Sequence, residues 1–250
     1  MNNEQERKFN IIIPLYNVEK WIKYCIRSVK AQEYGNFHCY LVDDISTDNT
    51  SKIIKNEIEG DNRFTLIENK EKKYALLNIH DTIELAKLNA NDVVVLLDGD
   101  DWFPNKTVLQ NLNRVYNSEA CDMTYGSYVE YPSVIKGKFA KQVPHDIVEN
   151  SLYRESEWMT SHLRTFKHSL WQKIDKKDFV YSQTQKFYKA SWDLAFMFPM
   201  LEMAGHKAYY VDEVMYVYNR QNPLNEDKVN HGIQLAEEAE IRKKNKYERL

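Results

Sequence analysis

The first part of the chain alternates short apolar runs with longer segments whose apolar residues recur at helical spacing. Each apolar run has the length of a buried strand, and each longer segment has the pattern of an amphipathic helix. Strands that alternate with helices form βαβ units, so we predict an α/β, Rossmann-like fold with a mainly parallel sheet flanked by helices. The predicted strands are Phe9–Leu15, Phe37–Val42, Phe64–Glu68 and Val93–Leu97, and the predicted helices are Val18–Gln32, Ser46–Glu57 and Tyr74–Leu88.

The second part of the chain is less regular. Trp158–Phe166 mixes aromatic and polar residues without a clear period, and Pro132–Pro144 reads as a loop. A chain of 250 residues can bury one sizeable core, so we predict a single domain over residues 1–250. Further predicted elements are the helices Lys106–Ser118, Leu194–Ala204 and Leu235–Leu250, the strand Met123–Tyr131, and two short strand-like pieces within Ala208–Asn219.

Composition excludes several classes of protein. The net charge of −3 gives no general attraction to nucleic acid, and only 7 glycines argue against a glycine-loop nucleotide binder. Met1–Lys8 is too polar for a signal peptide, and no apolar run approaches the roughly 20 residues that span a bilayer. The cysteines Cys25, Cys39 and Cys121 fit neither a disulfide framework nor a zinc cluster, which favours a reducing, cytoplasmic location.

Polar motifs follow three of the predicted strands. Pro14-Leu15-Tyr16-Asn17 closes the first strand, Asp43-Asp44 closes the second, and Asp98-Gly99-Asp100-Asp101 follows the fourth. Ligands of open α/β sheets bind beyond the carboxyl ends of the strands. We therefore predict that these three motifs meet in one cleft.

The acidic run Asp98–Asp101 places three carboxylates in four residues. Like charges repel, and a hard divalent cation such as Mg²⁺ or Mn²⁺ offsets that repulsion. Gly99 permits a tight turn and a close approach of the ligand. A solvated acidic turn is the alternative interpretation, whereas a calcium loop of EF-hand type is excluded by its register.

Asp43-Asp44 can accept hydrogen bonds from a nucleobase or a ribose. The alternative is helix capping by Ser46 or Asp48, which requires no ligand. Asp43-Asp44 precedes the predicted helix by too many residues to cap it, so this pair is the better candidate for binding.

Taken together, the motifs Pro14-Leu15-Tyr16-Asn17, Asp43-Asp44-Ile45-Ser46-Thr47-Asp48-Asn49-Thr50 and Leu97-Asp98-Gly99-Asp100-Asp101 resemble those of family 2 glycosyltransferases with the GT-A fold. The resemblance covers the part of the chain before Asn105 strongly and the rest weakly. Ile45 departs from the family pattern, which usually has glycine there. The resemblance implies a nucleotide-binding half at residues 8–105, an acceptor-binding half at 106–225 and a charged helical tail at 226–250.

The resemblance also implies roles for individual residues. Asp44 would contact the base, Asp98 the ribose or the metal-bound ligands, and Asp100 would be the chief ligand of Mn²⁺ or Mg²⁺, with Asp98 as a second metal ligand. Gly99 belongs to the same loop of the nucleotide-sugar site. The residues expected to line the nucleotide site are Pro14, Tyr16 and Asn17.

Inverting members of the family need one general base to take the proton of the acceptor hydroxyl. Asp193 lies where members of the family carry an acidic residue, and the alternative is that Asp193 only caps the helix. Glu202 and Asp212 are weaker candidates. Arg220 can meet the diphosphate as a bidentate donor, while His231 lies too far along the chain for the family's usual histidine.

Trp158–Lys167 places polar and basic groups among aromatic residues. Members of the family carry donor or acceptor contacts in a similar segment. We predict that His162 and Arg164 take part in nucleotide-sugar binding. The side chains predicted to fill the core are Trp158, Leu163 and Phe166.

The sequence thus predicts a metal-dependent, inverting transfer of sugar from a nucleotide-sugar, most simply a UDP-sugar, to a hydroxyl of a glycan, protein or lipid-linked acceptor. A non-catalytic nucleotide- or sugar-binding module and a sugar-nucleotidyltransferase are the alternatives. The basic segment Arg242–Lys246 is either a solvated helix face or a peripheral contact with a membrane.

Overall fold

The computed structural model describes residues 5–225 and 229–250. Residues 1–4 and 226–228, which belong to the predicted N-terminal segment and tail, lie outside the described residues. The strands are β1 (Phe9–Leu15), β2 (Phe37–Asp43), β3 (Phe64–Glu68), β4 (Val93–Leu96), β5 (Met123–Tyr131), β6 (Ile135–Lys136), β7 (Arg164–Lys167), β8 (Val180–Tyr181), β9 (Lys186–Phe187) and β10 (Ala208–Asn219). The α-helices are α1 (Ile22–Lys30), α2 (Thr50–Ile58), α3 (Tyr74–Ala86), α4 (Val108–Ser118), α5 (His145–Glu149), α6 (His168–Trp171), α7 (Trp192–Ala204) and α8 (His231–Ile241).

The main sheet has the strand order β10-β5-β7-β4-β1-β2-β3, and β6 extends it beside β5. Strands β4, β1, β2 and β3 are parallel, as are β5 and β10. Strand β7 lies between β4 and β5 and is antiparallel to both. The prediction of a mixed, mainly parallel α/β sheet is therefore confirmed.

The core covers both faces of the sheet, and for that reason β1 is completely buried. Successive residues of a strand point to opposite faces. Ile11 and Ile13 accordingly pack in one cluster with Ile22 and Ile26 of α1, while Ile12 packs in another with residues of α3 and α7. This double burial explains why the parallel strands are continuous apolar runs in the sequence.

Helix α2 begins at Thr50 rather than at the predicted Ser46. The reason lies in the side chains before it. The Ser46 hydroxyl accepts the Asn17 N–H, and the Asp48 carboxylate accepts the Glu19 N–H. These bonds tie the segment to the end of β1 instead of to a helical turn.

Two predictions for the last part of the chain are wrong in detail. The final helix spans His231–Ile241 instead of Leu235–Leu250, because the tail leaves the helix to pair with α7: Tyr247 N–H donates to Glu202 and Leu250 N–H to the Met203 carbonyl. Ala208–Asn219 is one continuous strand with two register shifts, not two pieces.

The residues after Leu163 form β7, which lies inside the sheet between β4 and β5. Leu163 and Phe166 are buried, as predicted, and Trp158 packs half-buried against Phe198. All three cysteines are free and buried. Within the described ranges, none of the helices combines the length and the apolar character that crossing a bilayer requires.

Candidate active site

The carboxyl ends of β1, β2 and β4 meet at one edge of the sheet. The Asp44 N–H donates to the Leu15 carbonyl at 2.9 Å, which ties the second motif to the first. A side chain at Gly99 would place its Cβ 2.5 Å from the Leu15 Cβ, closer than packed atoms can approach. The acidic run therefore needs glycine at this position in order to lie against the end of β1.

Tyr216 of β10 binds the acidic run from the second half of the chain. Its hydroxyl lies 3.2 Å from an Asp98 carboxylate oxygen and 2.5 Å from an Asp101 oxygen. The other Asp101 oxygen accepts the Asn219 N–H at 2.7 Å. Burial, followed by the charges of Asp100 and Asp98, raises the pKa of the Asp101 carboxyl well above its usual value. Asp101 thus anchors the run to β10.

Asp98 and Asp100 are half-buried, in contrast to Asp101. Burial raises the pKa of the Asp98 carboxyl to about 6, against the opposing charge of Arg164 and with the added repulsion of Asp100. One Asp100 oxygen accepts a hydrogen bond from the Asn222 side-chain amide at 2.7 Å. Asp98 and Asp100 are the side chains that would hold Mn²⁺ or Mg²⁺ here, because carboxylate oxygens are the natural ligands of these hard cations.

Arg164 and Asp193 form an ion pair beside the acidic run. Arg164, the first residue of β7, pairs with Leu96 at the end of β4, and its guanidinium lies 2.6 Å from an Asp193 carboxylate oxygen. The Arg164 side chain is 5% exposed and that of Asp193 is 21% exposed, so the carboxylate keeps some contact with solvent. The charge of Asp193 also contributes to the raised pKa of Asp98, which places the two carboxylates within electrostatic reach.

Asp193 does not cap its helix. The N-cap of α7 is Ser191, and Asp193 is the second residue of the helix. Its carboxylate accepts the Leu194 N–H at 3.0 Å and otherwise points to Arg164. The capping alternative is therefore wrong. The two weaker base candidates have other partners, because Glu202 is buried in an ion pair with Arg154 and Asp212 pairs with Lys136.

His162 lies behind these groups. Its ring stacks on Tyr216, with centroids 4.4 Å apart, and on Tyr218 at 5.5 Å, and its Nδ1 lies 3.4 Å from an Arg164 nitrogen. Burial, and then the charge of Arg164, lowers the pKa of the imidazole well below its usual value. A neutral, buried His162 supports Tyr216 and Arg164 from below the cleft.

The matching family model is that of glycosyl transferase family 2, and the match covers residues 10–194. The chain belongs to glycosyltransferase family 2. Among curated relatives, glycosyltransferase GlyA of Streptococcus pneumoniae is 25% identical over 84% of this chain and 30% of its own length. The Escherichia coli glucosyltransferase WfgD, named for UDP-Glc and α-D-GlcNAc-diphosphoundecaprenol, is 32% identical over 58% of this chain and 54% of its own. The chain thus spans less than two thirds of either relative.

Solved structures show the same fold at low sequence identity. TarS 1-349 from S. aureus, in complex with UDP-GlcNAc, has a TM-score of 0.64 at 16% identity, over 89% of this chain and 61% of that one. The mannosyltransferase PcManGT from Pyrobaculum calidifontis, with GDP-Man and Mn²⁺, has a TM-score of 0.62 at 17% identity, over 97% and 66%. The predicted GT-A type of fold is confirmed.

Asp44 of this family 2 chain is held by the protein itself. Its carboxylate accepts the Lys73 N–H at 2.8 Å, the Tyr74 N–H at 2.9 Å and the Asn69 amide at 2.8 Å, and Lys72 lies 3.4 Å away. Burial raises the pKa of Asp44, but these hydrogen bonds outweigh it and lower the pKa below its usual value. Asp44 is an ionised group that fixes the start of α3 at the edge of the cleft.

Hydrogen bonds also fix the end of β1, in which Pro14 is buried. Asn17 adopts a left-handed φ of 51°, and its side-chain oxygen accepts the Thr47 N–H at 2.8 Å. Ile45 has a φ of 59°, a left-handed conformation that glycine adopts most easily. Tyr16 is 39% exposed, and the Lys72 ammonium lies 3.0 Å from the centre of its ring.

The sequence pattern missed several residues that shape this family 2 site. Tyr216 and Asn222 bind the acidic run, and Lys72 contacts Tyr16, yet each is far from its partner in sequence. The predicted diphosphate ligand Arg220 follows β10, where its guanidinium lies 5.7 Å from the Tyr218 ring. The only sign of such roles in the sequence is the group of aromatic and amide side chains at the end of β10.

Glu237 of α8 was also missed, because α8 reads as a solvated, charged helix. Its carboxylate is buried and accepts the N–H groups of Lys189, Ala190 and Ser191 at 2.9, 2.7 and 2.9 Å. Three successive backbone N–H groups thus converge on one carboxylate just before Asp193. Glu237 thereby fixes the turn from which α7, and with it Asp193, begins.

Proposed function

We propose that this chain is a metal-dependent, inverting glycosyltransferase that moves a sugar from a nucleotide-sugar, a UDP-sugar by preference, to an acceptor hydroxyl. The observation that carries the proposal is the partly exposed Asp193 carboxylate, held by Arg164 beside the acidic run. The TarS complex with UDP-GlcNAc and the E. coli relative WfgD, named for UDP-Glc, support the choice of UDP.

The donor side of the reaction belongs to the strand ends. Tyr16, Asn17 and Asp44 border the space for the nucleoside, and Asp98 and Asp100 would hold Mn²⁺ or Mg²⁺ at the diphosphate. When bound, such an ion supplies positive charge that offsets the charge of the departing diphosphate. Arg220 can add a bidentate hydrogen bond to the same group.

The acceptor side belongs to Asp193. A bond forms between the acceptor oxygen and the anomeric carbon while the bond from that carbon to the diphosphate oxygen breaks, and the acceptor proton passes to the Asp193 carboxylate. A single displacement of this kind inverts the anomeric configuration. Arg164 orients the carboxylate through their 2.6 Å ion pair, and a general base must be held in position in this way.

A screen of nucleotide-sugars with and without Mn²⁺ tests the proposed function. The chain should show a thermal shift with UDP-sugars that depends on the metal, and slow metal-dependent release of UDP from one of them. Binding without any nucleotide release, even when candidate glycan and lipid-linked acceptors are added, would instead identify a non-catalytic binding module.

A further inference from the structure

A group of metal-ligating side chains lies on the surface, away from the acidic run. His145 and Glu149 come from the two ends of α5, and His206 comes from the 3-10 turn Gly205–Lys207 after α7. One ligand atom of each side chain lies within 4.8 Å of the others. Neither the family match nor the proposed reaction assigns a role to this group.

The distances suit a small cation. Glu149 Oε1 lies 2.6 Å from His206 Nε2 and 3.6 Å from His145 Nε2, and the imidazole centroids are 5.5 Å apart. Ligand atoms around a tetrahedral Zn²⁺ are about 3.3 Å apart, given metal–ligand bonds of about 2.0–2.1 Å. The observed separations lie on either side of that value, and the exposed side chains need only small rotations to equalise them.

The spacing and the types of the three ligands are also typical of zinc sites. His145 and Glu149 are one helical turn apart, so both point from the same face of α5. Two imidazole nitrogens and one carboxylate oxygen form a ligand set typical of Zn²⁺ sites that keep a fourth position open to water.

Arg249 contacts the Glu149 carboxylate oxygen that does not face the two histidines. An Arg249 nitrogen lies 3.8 Å from Glu149 Oε2, while Oε1 faces the two histidines. Arg249 reaches this position because Gly205 has no side chain: a Cβ there would lie 2.6 Å from the Arg249 Nε. A second partner that orients a ligand carboxylate is a usual part of a metal site.

We propose that His145, Glu149 and His206 form a surface site for a divalent transition-metal ion of the Zn²⁺ type. The ion would join α5 to the turn after α7, two elements that already touch through Glu149 and His206. The site is separate from the proposed donor site, and the inference does not depend on the proposed function.

Zinc binding should be measured by calorimetry on the full chain carrying Asp100→Asn, after removal of metals with a chelator, so that the acidic run does not contribute. We expect one equivalent of Zn²⁺ to bind. Since loss of an outer partner costs about 10- to 100-fold in metal affinity, removal of a ligand in His145→Ala or His206→Ala should weaken binding at least tenfold.

His231→Ala, which removes an exposed histidine from another surface, is the matched control and should bind Zn²⁺ as tightly as its parent. Co²⁺ in place of Zn²⁺ should give the visible absorption of a nitrogen-ligated tetrahedral ion, which His206→Ala loses. Absence of zinc binding in the parent, or binding by both ligand variants as tight as that of the parent, would overturn the proposal.

Discussion

The two halves of the molecule build their share of the site in different ways. In residues 8–105 the candidate ligands sit on the ends of parallel strands, and each is fixed by neighbours from the adjacent strand end or loop. In residues 106–250 the important side chains reach the site from scattered elements. Tyr216 and Asp98, for example, are 118 residues apart in sequence. The first half supplies the acidic run, and the second half supplies the side chains that contact it together with the Arg164–Asp193 ion pair.

The largest loss of transfer rate is expected for a substitution in the first half. Asp100→Asn removes a carboxylate from the proposed metal site, and we expect transfer to fall by about 10²- to 10³-fold, because charge stabilisation of the leaving group is lost. Steady-state rates at several Mn²⁺ concentrations check this. Asp212→Asn, which changes an exposed carboxylate bonded to Lys136 and Tyr210, should leave the rate unchanged. Equal rates in both variants would remove Asp100 from the metal site.

Tyr216→Phe tests whether the second half tunes the acidic run. Loss of a hydroxyl that serves two carboxylates should cost about 1.5–3 kcal/mol in the hydrogen bonding of the run. We expect an increase of about tenfold in the Mn²⁺ concentration needed for half-maximal rate. Tyr210→Phe, on the same strand but bonded to Ala140 and Asp212, serves as control. An unchanged metal requirement in Tyr216→Phe would limit Tyr216 to packing.

Glu237→Gln tests whether Glu237 of α8 positions Asp193 through the turn before α7. The neutral amide accepts the N–H groups of Lys189, Ala190 and Ser191 less strongly, so we expect kcat to fall about fivefold while KM for the nucleotide-sugar stays the same. The neighbouring variant Glu238→Gln loses only an ion pair with Arg242 and should behave as the parent. A fall in stability with kcat intact would make Glu237 structural and not a positioning residue.

The smallest effect is expected at Ile45. A left-handed φ costs a β-branched residue about 1–2 kcal/mol, and glycine relieves it at an entropic cost of about 0.5–1 kcal/mol. Ile45→Gly should therefore raise the free energy of unfolding by up to about 1.5 kcal/mol, with activity retained. Denaturant unfolding measures this. Ile45→Ala keeps most of the strain and should gain less, so a larger gain in alanine would argue against backbone strain as the cause.

The sequence alone predicts much of the first half because its rules are local. The prediction of Phe9–Leu15 is exact because a strand buried on both faces is a nearly continuous apolar run. The prediction of Phe64–Glu68 is also exact, although this edge strand is only partly buried. The meeting of the strand-end motifs follows from the direction of parallel strands, and the structure shows it through Leu15, Asp44 and Gly99.

The second half resisted prediction for a physical reason. Strand β7 is short and inserted antiparallel between two other strands, so Trp158–Phe166 carries no period that would reveal it. The partners of Asp101 and Asp193 are set by tertiary packing over long sequence separations, which a local pattern does not encode. Glu237 looked solvated because the N–H groups that it accepts belong to another loop.

We propose that Asp193, held by Arg164, takes the proton of the acceptor. The most direct test compares Asp193→Asn with the parent in two measurements, the single-turnover rate of sugar transfer and the affinity for the nucleotide. A general base contributes about 10²- to 10⁴-fold, so the account predicts a loss of that size in transfer with nucleotide affinity nearly unchanged. Transfer at the parental rate would contradict it.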